Sequence, residues 1–216
     1  AVAQGQIVLC TAETDAAFRE TLAAECFGGP RDVRILYSPL HGVGATAVGP
    51  LLETTGFQQV EIYAPHAAPD GDFPNVPGHV SNPENPRIFD AMISHARSTG
   101  ADVALATDPD CDRLGCAAPL SLQPDAEWDT LTGNQLGVLL SDYVLEQRRR
   151  AGTLTSDHYL VKTLVTTEMI RRVAESYGVR LCGDLLVGFK WIGGVMDLEG
   201  PDKFLLGSEE SHGYLV

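Results

Sequence analysis

The stretch "DVALATDPDCDR", residues 102–113, indicates the fold class of this 216-residue chain. Its first half is a short, nearly continuous apolar run, as expected for a strand buried in a parallel sheet. Asp108, Asp110 and Asp112 follow directly at the carboxyl end of that strand, and Arg113 comes next. Ligands of open α/β sheets bind at this edge. The stretch therefore predicts an α/β fold with a binding site after the strand.

Upstream of this stretch, strands and helices alternate. The pattern predicts a strand at 33–37, a helix that closes near Gly56, a second strand at 58–63 and an amphipathic helix that ends at Gly100. Residues 64–83 form a loop rich in Pro, Asp and Gly. A loop of this length inside a compact domain is usually functional or mobile.

Downstream the alternation restarts, which indicates two consecutive α/β domains with mixed, largely parallel sheets and helices packed on them. We predict domains at 1–120, ending in the aspartate loop, and 121–216, joined by a linker region in "APLSLQPDAEWDTLTG" (118–133). The later elements are predicted as a helix at 134–152, a strand at 158–165, a helix at 166–178, and strands at 179–185 and 203–209 with a turn from Gly188 to Gly194 between them.

Composition excludes several classes of protein. The net charge is −14 and the pI is near 4.7, which argues against nucleic-acid binding through a basic surface. No apolar run approaches the roughly 20 residues of a membrane span, and the first residues lack the basic region of a signal peptide. The five cysteines are scattered and odd in number. We therefore expect a reduced, cytoplasmic protein with no membrane partner.

The three aspartates allow more than one interpretation. A solvated acidic turn needs no ligand. A calcium loop of the EF-hand type is excluded, because its sixth and twelfth positions need Gly and Glu, and Arg113 and Pro119 stand there. A magnesium site remains, since Mg²⁺ prefers oxygen ligands and shares them with phosphate or water, and a neighbouring guanidinium can hold that phosphate. The position at the end of a buried strand favours the magnesium site.

With "DPDCDR" in view, the chain resembles the α-D-phosphohexomutase family, which comprises the phosphoglucomutases and phosphomannomutases. That family has a metal loop of pattern D-x-D-x-D-R. Four further stretches occur in the family's order: "SPLHGVG" at 38–44, "SNPENP" at 81–86, "GFKWIG" at 188–193 and "GSEESHGY" at 207–214. The family has four domains. This chain resembles the second domain and most of the third, which we expect to be truncated at its C-terminal end.

The resemblance implies roles for individual residues. Asp108, Asp110 and Asp112 would bind Mg²⁺, and Arg113 would steady a transferring phosphate. Glu209 and Ser211 match a sugar-recognition motif Glu-x-Ser and would bond two sugar hydroxyls, with His212 lining the pocket. Lys190 would contact substrate phosphate or act in proton transfer. Val187 departs from the threonine that many relatives have, which would change a substrate contact there. The form of the loop "EESHGY" leaves the choice of hexose or pentose phosphate open.

The resemblance also implies what lies outside the chain. The family's first domain carries the phosphoserine and its fourth domain binds the substrate phosphate, and neither motif occurs here. We therefore expect the central fragment of a magnesium-dependent phosphosugar mutase, an isomerase, that does not turn over alone. The main alternative is a non-catalytic module that binds metal and sugar phosphate. A structural domain with a solvated acidic turn is a third interpretation. A phosphatase with an aspartyl nucleophile is disfavoured, because nothing downstream in this sequence resembles the partner motifs of that class.

Overall fold

The structure, a computed structural model, describes residues 1–123 and 125–216. The helices are α1 Ala12–Ala24, α2 Gly44–Thr54, α3 Phe89–Thr99, α4 Gly133–Arg150, α5 Met169–Ser176 and α6 Phe189–Glu199. The strands are β1 Ile35–Ser38, β2 Val60–Ile62, β3 Val103–Thr107, β4 Leu114–Pro119, β5 Trp128–Leu131, β6 Tyr159–Thr163, β7 Arg180–Leu185, β8 Phe204–Ser208 and β9 Tyr214–Leu215.

Within these residues the strands form two sheets. The first has the order β2-β1-β3-β4-β5, with β1 parallel to β2 and β3, and β4 antiparallel to its neighbours. The second has the order β7-β6-β8-β9, with β6 parallel to β7 and β8, and β9 antiparallel to β8. The predicted fold class, two α/β units with mixed and largely parallel sheets, is confirmed.

Each sheet buries its own apolar core. In the first, Phe89, Met92 and Ala96 of α3 pack on Leu36 of β1 and Ala104 of β3. The 3.6-residue period of the α3 side chains explains this, because it places all three on one face of the helix. Gly100 ends α3 at φ 73°, a left-handed conformation that glycine adopts without strain.

The second sheet is covered on both faces. Val144 and Leu145 of α4 pack with Ile170 of α5 against Leu160 and Leu206, on one side of the sheet. On the other side, Ile192 of α6 packs against Tyr159 and Val161. The inward residues of β6 alternate between these two cores, because successive side chains of a strand point to opposite faces.

The segment that precedes β1 contacts the second unit. Phe27 packs at the edge of the α4–α5 core, with its ring 5.8 Å from the Tyr143 ring and the Arg148 guanidinium 5.7 Å from its centre. Glu25 lies 4.0 Å from the same guanidinium. Glu25 and Phe27 thus attach the segment before β1 to α4 of the second unit.

Two local predictions were wrong. Residues from Gly188 to Gly194 do not turn between strands; they begin α6, whose apolar face is held against the second sheet by Ile192. The stretch 118–133 is not a linker, because β4 and β5 pair there as an antiparallel hairpin and Trp128 packs on the first core. Pro124, within that stretch, lies outside the described residues. The first sheet therefore extends past residue 120, where we predicted the domain boundary.

Among the described residues, every helix is too short or too polar to cross a bilayer.

Candidate functional site

The carboxyl ends of β1 and β3 carry two loops that touch each other. The acidic loop, residues 108–113, follows β3, and the Gly-rich loop, residues 39–43, follows β1. The Val43 amide donates a hydrogen bond of 2.9 Å to the Pro109 carbonyl. A Cβ on Gly42 would lie 2.6 Å from the Pro109 carbonyl carbon, so only glycine permits this approach. The Gly-rich loop therefore supports the acidic loop directly.

The three aspartates of the acidic loop converge. One carboxylate oxygen each from Asp108, Asp110 and Asp112 lies within 4.8 Å of the others. Asp108 is 1% exposed, whereas the other two are exposed to solvent. Cys111 makes the turn between them at φ 65°, with its amide donating to the Asp108 carbonyl at 3.1 Å. The loop thus presents three oxygen ligands from one short stretch of backbone.

Arg113 neutralises part of this charge. Its Nε donates to Asp108 Oδ2 at 2.8 Å, its backbone amide donates to Asp108 Oδ1 at 3.1 Å, and its Nη1 donates to Glu84 Oε1 at 3.0 Å. Partial burial, a hydrogen bond with the Asp108 carboxylate and the charges of Asp108 and Asp110 raise the pKa of the Asp112 carboxyl. The loop therefore holds more negative charge than Arg113 alone compensates.

The second sheet contributes the β8–β9 loop, residues 209–213, at the carboxyl end of β8. The Glu209 amide donates to the Gly213 carbonyl at 2.9 Å and closes the hairpin. Glu209 is 6% exposed, and its Oε1 accepts a hydrogen bond of 2.6 Å from the Gly188 amide at the start of α6. Ser211 is half-buried on the same loop. One carboxylate oxygen of Glu209 is thus fixed by a backbone donor, which sets the direction of the other.

Glu210 points back to the end of β6. Its amide donates to Thr166 Oγ1 at 3.1 Å, and its Oε2 accepts from the Thr166 and Thr163 hydroxyls at 3.3 Å and 3.4 Å. The two hydroxyls are 2.7 Å apart and buried. Glu210 therefore anchors the β8–β9 loop on its own sheet.

His212 connects the β8–β9 loop of the second sheet to the start of β4 in the first sheet. Its carbonyl accepts a hydrogen bond of 2.9 Å from the Leu114 amide, and its Nδ1 donates one of 3.1 Å to the Leu114 carbonyl. Arg113 and Gly213 form an antiparallel bridge beside them. Leu114 is the first residue of β4 and directly follows the acidic loop. The carboxylates at 108–112 and the pair Glu209 and Ser211 therefore belong to neighbouring, bonded loops.

Lys190 is placed differently from the other predicted residues. It lies exposed on the first turn of α6, with its ammonium 5.1 Å from the Trp191 ring. Its connection to Glu209 runs through Gly188, the N-cap of the same helix. The structure brings together the three aspartates, Arg113 and the β8–β9 loop, and it leaves Lys190 at their margin.

Sequence reasoning missed Lys162. This lysine is fully buried at the end of β6 and donates to Glu168 Oε1 at 2.7 Å and to the Thr166 carbonyl at 3.0 Å. The signal was present in "HYLVKTLV", where a lysine stands inside a largely apolar strand. A buried amine needs partners, and these partners lie at the edge of the sheet where the β8–β9 loop is anchored.

A cavity of about 190 Å³ lies beside the β8–β9 loop, between the segments 83–86 and 130–133. Its lining includes Glu84, Thr132, Gly133, Glu210 and His212. A larger cavity of about 620 Å³ lies at the amino end of β3, beside Asp102 and Trp128. Because that is the opposite edge of the first sheet from the carboxylates, we assign the larger cavity no part in this site.

Comparison with known proteins places this chain in a family. Residues 18–120 match the model of phosphoglucomutase/phosphomannomutase, alpha/beta/alpha domain II, and residues 132–216 match that of domain III. A probable phosphoribomutase of Schizosaccharomyces pombe is 32% identical over 86% of this chain and 31% of its own length. A phosphoglucomutase of Staphylococcus saprophyticus is 33% identical over 86% of this chain and 32% of its own length.

Solved structures share the fold. A phosphoglucomutase/phosphomannomutase family protein from Burkholderia thailandensis covers 93% of this chain with 38% of its own, at a TM-score of 0.72 and 18% identity. An N-acetylphosphoglucosamine mutase of Aspergillus fumigatus, solved with glucose 1,6-bisphosphate, covers 92% of this chain with 36% of its own. Its TM-score is 0.57 and its sequence identity is 14%. The chain spans about a third of the curated relatives it matches. It belongs to the phosphoglucomutase/phosphomannomutase family, with regions that match the family's domains II and III.

Proposed function

We propose that this chain is the central part of a magnesium-dependent phosphosugar mutase, which moves a phosphoryl group from one hydroxyl of a sugar monophosphate to another. One observation carries the proposal: three carboxylates that converge within 4.8 Å lie on a loop bonded to the loop of Glu209. The mutases among the relatives support the reaction class. The predicted domain limits, 1–120 and 121–216, stay a prediction, and the β4–β5 hairpin favours a boundary after Leu131.

The acidic loop suits a hard divalent cation. Asp108, Asp110 and Asp112 offer only oxygen ligands, and Asp108 is buried, with Arg113 donating to both of its carboxylate oxygens. Mg²⁺ accepts such ligands and keeps positions for phosphate or water. When bound, the ion would neutralise the charge of a phosphoryl group, which is the main requirement of phosphoryl transfer.

Arg113 is proposed as a catalytic residue beside the aspartates. Its Nε and Nη1 are held by Asp108 and Glu84, so the guanidinium plane is fixed. The remaining N–H groups of the fork can donate to phosphate oxygens. Because its side chain is partly exposed, a phosphate can reach them from solvent.

Glu209 and Ser211 are proposed to bind the sugar. Gly188 holds one oxygen of Glu209, and the other can accept a hydrogen bond from a sugar hydroxyl. The Ser211 hydroxyl, two residues away, can bond a neighbouring hydroxyl, so the pair suits a vicinal diol. We also propose that Lys190 contacts the substrate phosphate or acts in proton transfer. It lies on the first turn of α6, and the N-cap of that helix, Gly188, is bonded to Glu209.

The proposal includes partners outside the sequence. A phosphoserine-bearing domain and a domain that binds the substrate phosphate would complete the mutase, and the chain spans only about a third of its relatives. The isolated chain should therefore show no turnover of glucose 1-phosphate with Mg²⁺. Robust turnover abolished by Asp110→Asn would contradict this part of the proposal.

The alternative function is a module that binds cation and sugar phosphate without chemistry. The same contacts favour it, because neither the acidic loop nor Glu209 requires a phosphate carrier in order to bind. Supplying the chain with a phosphoserine domain from a relative would separate the two. Turnover in the mixture supports the mutase, and binding without turnover supports the module.

The test of the site itself is calorimetric titration with Mg²⁺, with and without inorganic phosphate. The wild-type chain is compared with the double variant Asp108→Asn/Asp110→Asn, which should bind roughly tenfold or more weakly because charged ligands are lost. The double variant Asp15→Asn/Asp197→Asn removes the same charge from exposed positions in α1 and α6 and serves as the control. Equal heats from all three proteins would show that the acidic loop is only a solvated turn.

A further inference from the structure

His212 links the β8–β9 loop to Leu114, the residue that directly follows the acidic loop. His212 bonds Leu114 twice, once through its carbonyl at 2.9 Å and once through its ring Nδ1 at 3.1 Å. The two residues are 98 positions apart in sequence and belong to different sheets. The two hydrogen bonds therefore fix the position of the β8–β9 loop relative to the start of β4.

His212 adopts a backbone conformation that most residues avoid. Its φ is 67°, in the left-handed region, and the residue is 6% exposed. Such a conformation is strained in a residue other than glycine and persists where its surroundings fix it. Here the surroundings are the bonds to Leu114, together with the Arg113–Gly213 bridge.

Both ends of the contact lead directly into the proposed binding groups. Leu114 follows Arg113, whose side chain holds Asp108. On the other side, His212 is adjacent to Ser211 and three residues from Glu209, which is fixed to α6. Motion of either loop must therefore strain the Leu114–His212 pair or move the other loop with it.

We propose that His212 is a positioning residue that couples cation binding at the acidic loop to sugar-phosphate binding at the β8–β9 loop. This inference rests on the proposed function. A ligand that orders one loop reduces the ordering cost of the other through the shared bonds, so the second ligand binds more tightly. By linkage the enhancement is the same in both directions.

Two substitutions separate the ring bond from the backbone. His212→Gly removes the ring and relieves the positive φ, so it deletes the Nδ1 bond without adding strain. His212→Asn tolerates the left-handed conformation and offers an amide N–H near the position of Nδ1, so it can restore the bond to the Leu114 carbonyl. Circular dichroism and urea midpoints confirm that each variant is folded.

The first measurement is calorimetry with MnCl₂ and with glucose 1-phosphate, each alone and in the presence of the other. The predicted quantity is the ratio of cation affinities with and without glucose 1-phosphate. We expect a ratio of about fivefold or more in the wild type and in His212→Asn, and a clearly smaller one in His212→Gly. Direct contact between phosphate and cation contributes equally to all three proteins, so the difference between variants reports the role of His212.

The second measurement needs no ligand. Amide exchange of Leu114 should be about fivefold faster in His212→Gly than in the wild type, because one hydrogen bond that supports the local structure is lost, and His212→Asn should restore protection. Amides of β7, which lies at the far edge of the second sheet, serve as the internal control.

The outcomes distinguish the inference from the function on which it rests. An unchanged ratio in His212→Gly, or unchanged Leu114 exchange, overturns the coupling while the proposed function stands. Failure of the wild type to bind either ligand overturns both. A reduced ratio in His212→Gly, with recovery in His212→Asn, supports the coupling, because a merely structural residue would alter stability without altering the ratio.

Discussion

Glu209 Oε1 accepts a hydrogen bond of 2.6 Å from the Gly188 amide, although the two residues are 21 positions apart. Gly188 is the N-cap of α6, and its φ is 121°, which only glycine adopts readily. The carboxylate thus satisfies a backbone donor at a helix start, where negative charge is also favoured by the helix dipole. A residue proposed to bind sugar is at the same time part of the second unit's structure.

Replacing Glu209 tests this double role. Glu209→Ala should lower the free energy of unfolding by about 1–3 kcal/mol, because it leaves the Gly188 amide without its acceptor. Glu209→Gln keeps an acceptor oxygen and should cost clearly less. Urea denaturation measures both. If the two variants were equally destabilised, the hydrogen bond to Gly188 would not be what stabilises the fold at this position.

Gly42 should not accept a side chain. A Cβ there would overlap the Pro109 backbone, which cannot move without displacing the acidic loop. Gly42→Ala should therefore destabilise the chain by about 1–3 kcal/mol. Gly193→Ala in α6 is the control, since the space that its methyl group would occupy is open, and it should stabilise the helix by about 0.5–1 kcal/mol. Thermal unfolding should show a lower melting temperature for Gly42→Ala and a higher one for Gly193→Ala than for the wild type.

Arg113 should not be replaceable by lysine. Its fork bonds Asp108 and Glu84 at once, and a single ammonium cannot reproduce both directions. Arg113→Lys should cost about 1–3 kcal/mol of stability. Arg97→Lys, at an exposed position in the last turn of α3, is the matched control. Equal unfolding midpoints for the two variants would contradict the importance of the fork.

Glu168 should make stability depend on acid pH. The Lys162 ammonium, followed by the Arg171 guanidinium, lowers the pKa of Glu168 from 4.5 to about 2. Because the folded pKa lies below the unfolded value, the carboxylate stabilises the fold above pH 4.5, and this contribution is lost as the pH falls toward 2.

Glu168→Gln should therefore be less stable than the wild type at about pH 6, and the difference should shrink at about pH 3. Urea denaturation at both pH values measures it. Glu175→Gln removes the same charge from the other end of α5, where Glu175 pairs with Arg172 at 3.1 Å, and is the control. An identical pH profile for the two variants would count against the Lys162–Glu168 pair.

Thiol labelling should report the packing of the first sheet. Cys10 and Cys26 are exposed and should react first with a disulfide reagent. Burial raises the pKa of the Cys116 thiol in β4 to about 11, so Cys116 should react last. In denaturant all should react at similar rates. Labelling of Cys116 as fast as that of Cys10 in the native chain would contradict the position of β4 inside the sheet.

Local sequence patterns predicted the part of the fold that local rules decide. The apolar run before Asp108 is β3, and Gly100 ends α3 as its position suggested. The paired glycines Gly193 and Gly194 were misleading, because packing of Ile192 on the second sheet outweighs their low helix propensity. Tertiary contacts decided that element.

The convergence of the aspartates could be anticipated, since their spacing and the strand end are visible in sequence. The contact between Leu114 and His212 could not, because it joins residues 98 positions apart in sequence and no local pattern records it. Lys162 lies between these cases. Its position in an apolar strand was visible, but the partners that make its burial tolerable come from a loop and a neighbouring helix.

The position of Phe27 has a consequence for the order of events during synthesis. This ring precedes every strand of the first sheet, yet its burial depends on α4, which is made roughly a hundred residues later. On a ribosome that delivers about 5–20 residues per second, the segment would wait for seconds with its apolar ring in water. The segment that precedes β1 can thus take its place only after α4 has been made, and until then it is open to proteases and chaperones.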